Sequence, residues 1–332
     1  MSRRSLALTA SLAGAVLALS ACGGGGQPSS GGGTSAAGGD SDKTYQIGIT
    51  QIVTHPSLDE AREGFKSALQ AGGIKAEFDE QNAQGDQATA TSIANNFKNK
   101  DLVLAVATPT AQAAAQVITD KPVLFTAVTD PVSAKLVNSL EAPGGNVTGT
   151  SDLNPVKEQI DLVKEINPSA KTVGIVYSSG EVNSEVQVKL AEDAAKAIGL
   201  TIATKTVSNS GEVAQAANSL NVDAFYVPTD NTVVSAIESI IGAAEAKKVP
   251  VIAGEGDSVK RGAAATFGID YRALGEQTGQ MAVKILKDGA DPATMPVETQ
   301  KEPKLVVNPG AAQKAGVTLP EELVKRADEV VE

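Results

Sequence analysis

Tyr226-Val227-Pro228-Thr229-Asp230-Asn231-Thr232 closes a run over residues 222–227 that reads as a buried strand, and it opens a helical pattern over residues 233–246. An earlier stretch echoes it. Residues 103–106 read as a strand, Ala107-Thr108-Pro109-Thr110 as a turn, and residues 111–118 as a helix. Each places Thr and other small polar residues between the carboxyl end of a strand and the start of a helix. Ligands of open α/β sheets bind there, within reach of backbone N–H groups and the positive end of the helix dipole. Two such turns predict two similar lobes facing one ligand.

Outward from these turns the chain alternates strand and helix. Residues 45–50 read as a strand and residues 57–71 as a helix. Ser57 and Glu60 are spaced as a capping box, and Gly72 stands just past the helix end. A strand over residues 74–79, a helix over residues 87–99, the strands at Val103 and Val123, and a strand over residues 146–150 complete a parallel β-α-β sheet. Asn154-Pro155 predicts a helix start, with Asn as N-cap and Pro at the first position. The pattern then repeats from Lys171: Lys248-Val249-Pro250-Val251-Ile252 takes the place of Lys121-Pro122-Val123-Leu124-Phe125. A repeat of this length is a whole lobe, not a solenoid unit. The expected fold is α/β, two Rossmann-like lobes with parallel sheets joined by a multi-strand hinge. The first lobe covers residues 44–151 with about 271–292, and the second covers 152–270 with about 293–332. Hinges are expected near residues 150–153, 269–272 and 290–300.

Composition bounds the function. The 332 residues suffice for two domains with filled cores. The net charge is −11 and no basic stripe appears, which argues against nucleic acid. A single Cys excludes a disulfide within the chain, and with one His, His55, it leaves no Cys/His zinc cluster and little scope for nucleophile–His catalysis. Neither an enzyme nor a cofactor is expected. Aromatics make up only 3 % of the chain and Trp is absent, so stacking platforms of the kind sugars and nucleobases use are scarce.

The first forty residues carry an address. Arg3-Arg4, a short apolar stretch and Leu19-Ser20-Ala21-Cys22 read as a secretory signal over residues 1–21. The last four of these residues match a bacterial lipobox, which makes Cys22 the lipidated first residue of the mature chain. The Gly/Ser-rich segment that follows, to residue 43, cannot bury enough surface to fold and reads as a tether. The expected location is the outer face of the bacterial cell membrane, with the body anchored by lipid.

Ligand candidates collect in the loops that follow the strands. The first lobe offers Thr50, Gln51, His55, Thr108, Thr110, Thr129 and Asp130. The second offers Ser178, Ser179, Asn183, Thr229, Asp230, Asn231 and Glu255. These loops hold no Lys or Arg, which disfavours phosphate or a polyanion. A zwitterion fits: its carboxylate can sit on helix N-termini and hydroxyls, its ammonium on an acidic side chain. A neutral polar ligand fits as well. Thr108, Thr110 and Ser178 are the candidates on the carboxylate side, with Asp230 and Asp130 as ammonium partners.

Cys22 with its tether, Thr54-His55-Pro56-Ser57-Leu58-Asp59, Ala107-Thr108-Pro109-Thr110, Phe125-Thr126-Ala127-Val128-Thr129-Asp130-Pro131, Asn146-Val147-Thr148-Gly149, Val227-Pro228-Thr229-Asp230-Asn231-Thr232 and Gly268-Ile269-Asp270-Tyr271 together resemble the ABC-transporter substrate-binding lipoproteins of the tryptophan/tyrosine-binding type. The resemblance runs over residues 45–330 and adds Asp270 to the candidate site. It implies a type I periplasmic-binding-protein fold, capture of a small molecule by hinge closure, and a permease and ATPase as partners of a monomer. Characterised relatives take aromatic amino acids. A ligand-sensing lipoprotein serving a membrane receptor, and a purine- or nucleoside-binding member of the same fold, are the alternatives.

Overall fold

The computed structural model describes residues 43–332. The leader, Cys22 and the tether up to residue 42 lie outside the described residues. The first lobe runs β1 (Thr44–Gln51), α1 (Pro56–Ala71), β2 (Lys75–Asn82), α2 (Gln87–Asn96), β3 (Leu102–Val106), α3 (Thr108–Val117), β4 (Val123–Thr126) and β5 (Val147–Ser151). The second runs α4 (Val156–Ile166), β6 (Thr172–Ser178), α5 (Val182–Ala197), β7 (Thr201–Val207), α6 (Val213–Ser219), β8 (Ala224–Val227), α7 (Asn231–Val234), α8 (Ile237–Lys247), β9 (Val251–Ala253), α9 (Gly256–Lys260) and β10 (Ala265–Gly268). The chain then returns to the first lobe as α10 (Tyr271–Asp288) and β11 (Glu298–Thr299). It ends on the second lobe with β12 (Lys304–Val307), α11 (Pro309–Lys314), α12 (Glu321–Lys325) and β13 (Glu329–Val330).

The first sheet has the order β11-β5-β4-β3-β1-β2 and is parallel throughout. The second has the order β13-β12-β10-β9-β8-β6-β7, with β12 antiparallel to β10. Helices cover both faces of the second sheet, so its inner strands β8 and β9 are apolar on both sides. On β8, Phe225 enters the core on one face and Tyr226 the core on the other. The buried Tyr226 hydroxyl is satisfied by Gln159 Oε1 at 2.8 Å. In the first lobe Phe65, Phe97 and Phe125 fill the core around β1, β3 and β4. No helix among the described residues is long and apolar enough to cross a membrane.

Three expectations are corrected. The helix read over residues 233–246 is broken at Ser235-Ala236 into α7 and α8. The third crossing falls at residues 300–303, so residues 293–299 belong to the first lobe: β11 pairs with β5, and Thr148 Oγ1 donates to the Met295 carbonyl at 2.8 Å. The cap assignments at α1 and α4 each shift by one position or more. His55 is the N-cap of α1 and Pro155 that of α4, neither with a side-chain capping bond. The two side chains freed in this way turn to other work. Ser57 reaches the opposite lobe. Asn154 ties two crossings together, accepting from Ile269 N at 3.0 Å and donating to the Asp152 carbonyl at 2.9 Å.

Two glycines bring α1 and α10 into backbone contact. A Cβ on Gly275 would lie 1.8 Å from the Ala61 carbonyl oxygen, and one on Gly64 would lie 2.1 Å from that of Arg272. This crossing fixes the start of α1, with His55 and Ser57, against the start of α10, with Tyr271.

Candidate ligand site

The strand ends of both lobes face each other with an inner and an outer space between them, while a third space between the lobes lies by Glu60, Arg272, Asp257 and Lys260. The inner one is a narrow cavity of about 10 Å³, room for about one water, lined by His55, Leu58, Ala127, Asp152, Thr229, Asn231, Val234, Glu255 and Tyr271. The outer one, about 230 Å³, is an open cleft. The first lobe contributes Ile52, Val53, Gln87 and Pro109 to it, and the second Ser178, Glu181, Asn231, Thr232 and Ser235. Asn231 borders both. Among the described residues lining either space there is no Lys or Arg, and Tyr271 is the one aromatic.

Asp152 sits in the first crossing between lobes, directly after β5. Its Oδ1 accepts from Thr129 Oγ1 at 3.0 Å and its Oδ2 from the Tyr271 hydroxyl at 2.7 Å. Burial raises its pKa above the usual carboxylate range, against these two hydrogen bonds. A carboxylate has about four acceptor positions, and two of these are in use. Tyr271 in turn is pushed well above the ordinary phenol value, by burial first and the Asp152 charge second.

Glu255 caps α9, and its Oε2 accepts from Asp257 N and from Ser57 Oγ, both at 2.7 Å. Its Oε1 takes Ser258 N at 3.0 Å and the Ser258 hydroxyl. Burial raises its pKa as well, but its acceptor positions are filled by the protein.

His55 is buried where α1 begins. Its pKa falls to about 4, first because burial disfavours the imidazolium and second because of Arg261 in the opposite lobe; hydrogen bonding with Asn231 acts the other way. The ring is neutral at physiological pH, and its Nδ1 is buried without a partner. Thr50 Oγ1, Thr108 Oγ1 and Asn183 Oδ1 are likewise buried and unpaired. Buried polar atoms are nearly always paired, and of these four residues only His55 lines the inner cavity. Thr50 lies near the end of β1, and Thr108 opens α3 beyond the neighbouring β3. Ala107, just before Thr108, is held at φ 80°, a conformation costly for a residue with a Cβ and typical of ligand-facing turns.

The aspartates expected to hold an ammonium are occupied otherwise. Asp230 turns into its own lobe: Oδ1 caps α7 through Val233 N at 2.8 Å, and Oδ2 accepts from Ser178 N at 2.6 Å and Ser184 Oγ at 2.7 Å. Burial and then the Glu181 charge lift its pKa to about 7. Asp130 closes a turn with Val132 N, Ser133 N and Ser133 Oγ, and Asp270 caps α10 through Ala273 N at 3.0 Å. On the carboxylate side, Thr110 spends its hydroxyl on the Val106 carbonyl at 2.6 Å, and Ser178 Oγ accepts from Gly180 N. Gln51 is bound by Val53 O and Asp59, Thr229 by Gln187, and Ser179 is exposed. The structure therefore brings His55, Thr229, Asn231 and Glu255 to the inner cavity and Ser178 to the outer cleft. Asp130, Asp230, Asp270 and Thr110 are engaged in caps and turns.

Asp152, Tyr271 and Glu181 were not among the sequence candidates. Glu181 organises the second lobe's turn, accepting from the backbone N–H of both Asn231 and Thr232 at 3.0 Å and from Asn183 Nδ2 at 3.2 Å. An acidic residue at the mouth of a hinge crossing, as in Ser151-Asp152-Leu153, was the available signal for the first of the three.

A family model for ABC transporter substrate binding proteins matches residues 46–331. The chain is 46 % identical over 277 residues to a tyrosine-binding protein of Clostridioides difficile, covering 81 % of this chain and 80 % of the relative. A Streptococcus pneumonia ABC domain solved in complex with L-Trp is 38 % identical and superposes with a TM-score of 0.84, over 87 % of this chain and all of the other. The ligand-free, open structure of a Clostridium difficile substrate binding protein with adhesive properties is 43 % identical over 86 % of this chain and 99 % of that one, yet its TM-score is 0.65. The lobes here therefore stand closer to the arrangement in the L-Trp complex than to the open one.

Proposed function

The chain belongs to the ABC transporter substrate-binding proteins, and we propose that its ligand is a free amino acid, aromatic in side chain, captured between the lobes without chemical turnover. Membership implies an extracytoplasmic protein that hands a small molecule to a permease. The observation that carries the amino-acid reading is Asp152: a buried carboxylate facing the interlobe cavity, with acceptor positions unused and no Lys or Arg beside it. An ammonium supplies both the missing charge and the missing donors. The positive end of α3, whose Pro109 lines the outer cleft, is left for a carboxylate. The tyrosine of one relative and the L-Trp of another support an aromatic side chain, with Tyr271 as its one aromatic neighbour in the cavity.

A ligand touching both lobes stabilises their closed form, and that differential contact is the capture mechanism. The protein acts as a monomer, held to the membrane by a lipid on Cys22. Mass spectrometry of what copurifies with the mature chain, followed by a thermal-shift panel, tests the ligand class. L-Tyr, L-Trp or L-Phe should raise the melting temperature. Stabilisation by a sugar or nucleoside, with no response to any amino acid, would overturn the assignment.

A further inference from the structure

We propose that Ser57, standing outside the ligand cavity, and Glu255, at its edge, form a latch that holds the lobes closed. Ser57 does not line that cavity. It stands in the first turn of α1, and its hydroxyl reaches 198 residues along the chain to Glu255 Oε2 at 2.7 Å, with Asp257 Oδ2 at 3.1 Å. The hydroxyl has one proton, so it donates to one carboxylate at a time. Lys260 faces the second carboxylate at 3.2 Å from Asp257 Oδ1 and reduces the repulsion within the pair.

The latch answers a need of α1. That helix has His55 at its N-cap and no side-chain capping bond of its own. Acidic residues from the other lobe stand at this end of the helix and add to Asp59 of its own first turn, so closing the lobes adds to the negative charge at its positive end. Ser57 is nearly fully buried in this arrangement, and opening the cleft exposes both it and Glu255 to water. The residue acts on the lifetime of the closed form and leaves the ligand untouched.

Interlobe single-molecule FRET on the mature chain tests this without any ligand. Cys22→Ser removes the chain's one cysteine, and dyes can then be placed at Ala88→Cys and Ser210→Cys, exposed positions on opposite lobes. Ser57→Ala should shorten closed excursions about tenfold, the scale of one hydrogen bond to a charged group, while the rate of closing from the open form stays within about twofold. Ser57→Thr, which keeps the hydroxyl, should restore the lifetime to within about threefold. Melting temperatures confirm that all variants fold. A closed lifetime in Ser57→Ala within about threefold of the parent overturns the latch, as does an equal shortening in Ser57→Thr. With saturating L-tyrosine as a probe, the same variant should raise the dissociation rate and spare the association rate. A parent that ignores L-tyrosine would remove the ligand assignment and leave the ligand-free test of the latch standing.

Discussion

Acid should weaken ligand capture through His55. In the closed form its pKa is about 4, lowered by burial and by Arg261 across the cleft. Opening the lobes admits water and withdraws Arg261, so the imidazole returns toward about 6.5. The closed form then binds fewer protons than the open one between these values, and closure is favoured above pH 6.5 and progressively lost as pH falls toward 4. The full difference is worth about 3 kcal/mol, and at about pH 5 the linkage relation gives roughly a 30-fold loss of affinity relative to about pH 7.5. Asp152 and Glu255 oppose this, because burial raises their pKa values and closure takes up protons at them. A single pH profile therefore mixes signs. Calorimetric titration of the parent and of His55→Gln with L-tyrosine, at both pH values, separates them. The ratio of the two dissociation constants should change about 30-fold between the two conditions. Parallel profiles within about threefold would refute the assignment of a buried neutral imidazole to the closed state.

Gly275→Ala should lower the melting temperature by an amount matching about 3 kcal/mol, because the new Cβ would meet the Ala61 carbonyl oxygen at 1.8 Å and the backbones must part; an unchanged melt would mean that α1 and α10 can separate freely. Asp230→Asn should leave ligand affinity within about threefold and cost about 1–3 kcal/mol of stability, because one of the N–H groups of Ser178 and Val233 then faces an amide N–H instead of an oxygen; loss of affinity with unchanged stability would return Asp230 to the site. Cys22→Ser should move the protein from the membrane fraction to the medium, or leave its leader uncleaved, and a processed, lipid-labelled variant would contradict the anchor.

Much of the fold was legible because strand and helix alternate with clear periods. The strand ends at Thr50, Val106 and Val227 were placed within a residue or two of where they lie, and their carboxyl ends do face one cleft. The site was read less well, for a definite reason. A small polar or acidic residue between a strand and a helix is both the signature of a ligand turn and that of an N-cap. At Asp130, Asp230 and Asp270 the cap holds the side chain. Asp152 escaped notice because its partners, Thr129 and Tyr271, are 23 and 119 residues away and meet it only when the first two crossings come together. Ser57 was hidden by a capping-box spacing that α1 does not use.

The affinity of Asp152→Asn tests the account most directly. Titration calorimetry would compare it with the parent, using L-tyrosine and L-tryptophan and, for each, the analogue that lacks the amino group. If Asp152 holds the ammonium, the substitution should cost roughly 2–5 kcal/mol with the amino acids, about 30-fold or more in affinity, and little or nothing with the deaminated analogues, which should bind weakly to both proteins. An Asp152→Asn variant that binds the amino acids within about threefold of the parent would contradict the account.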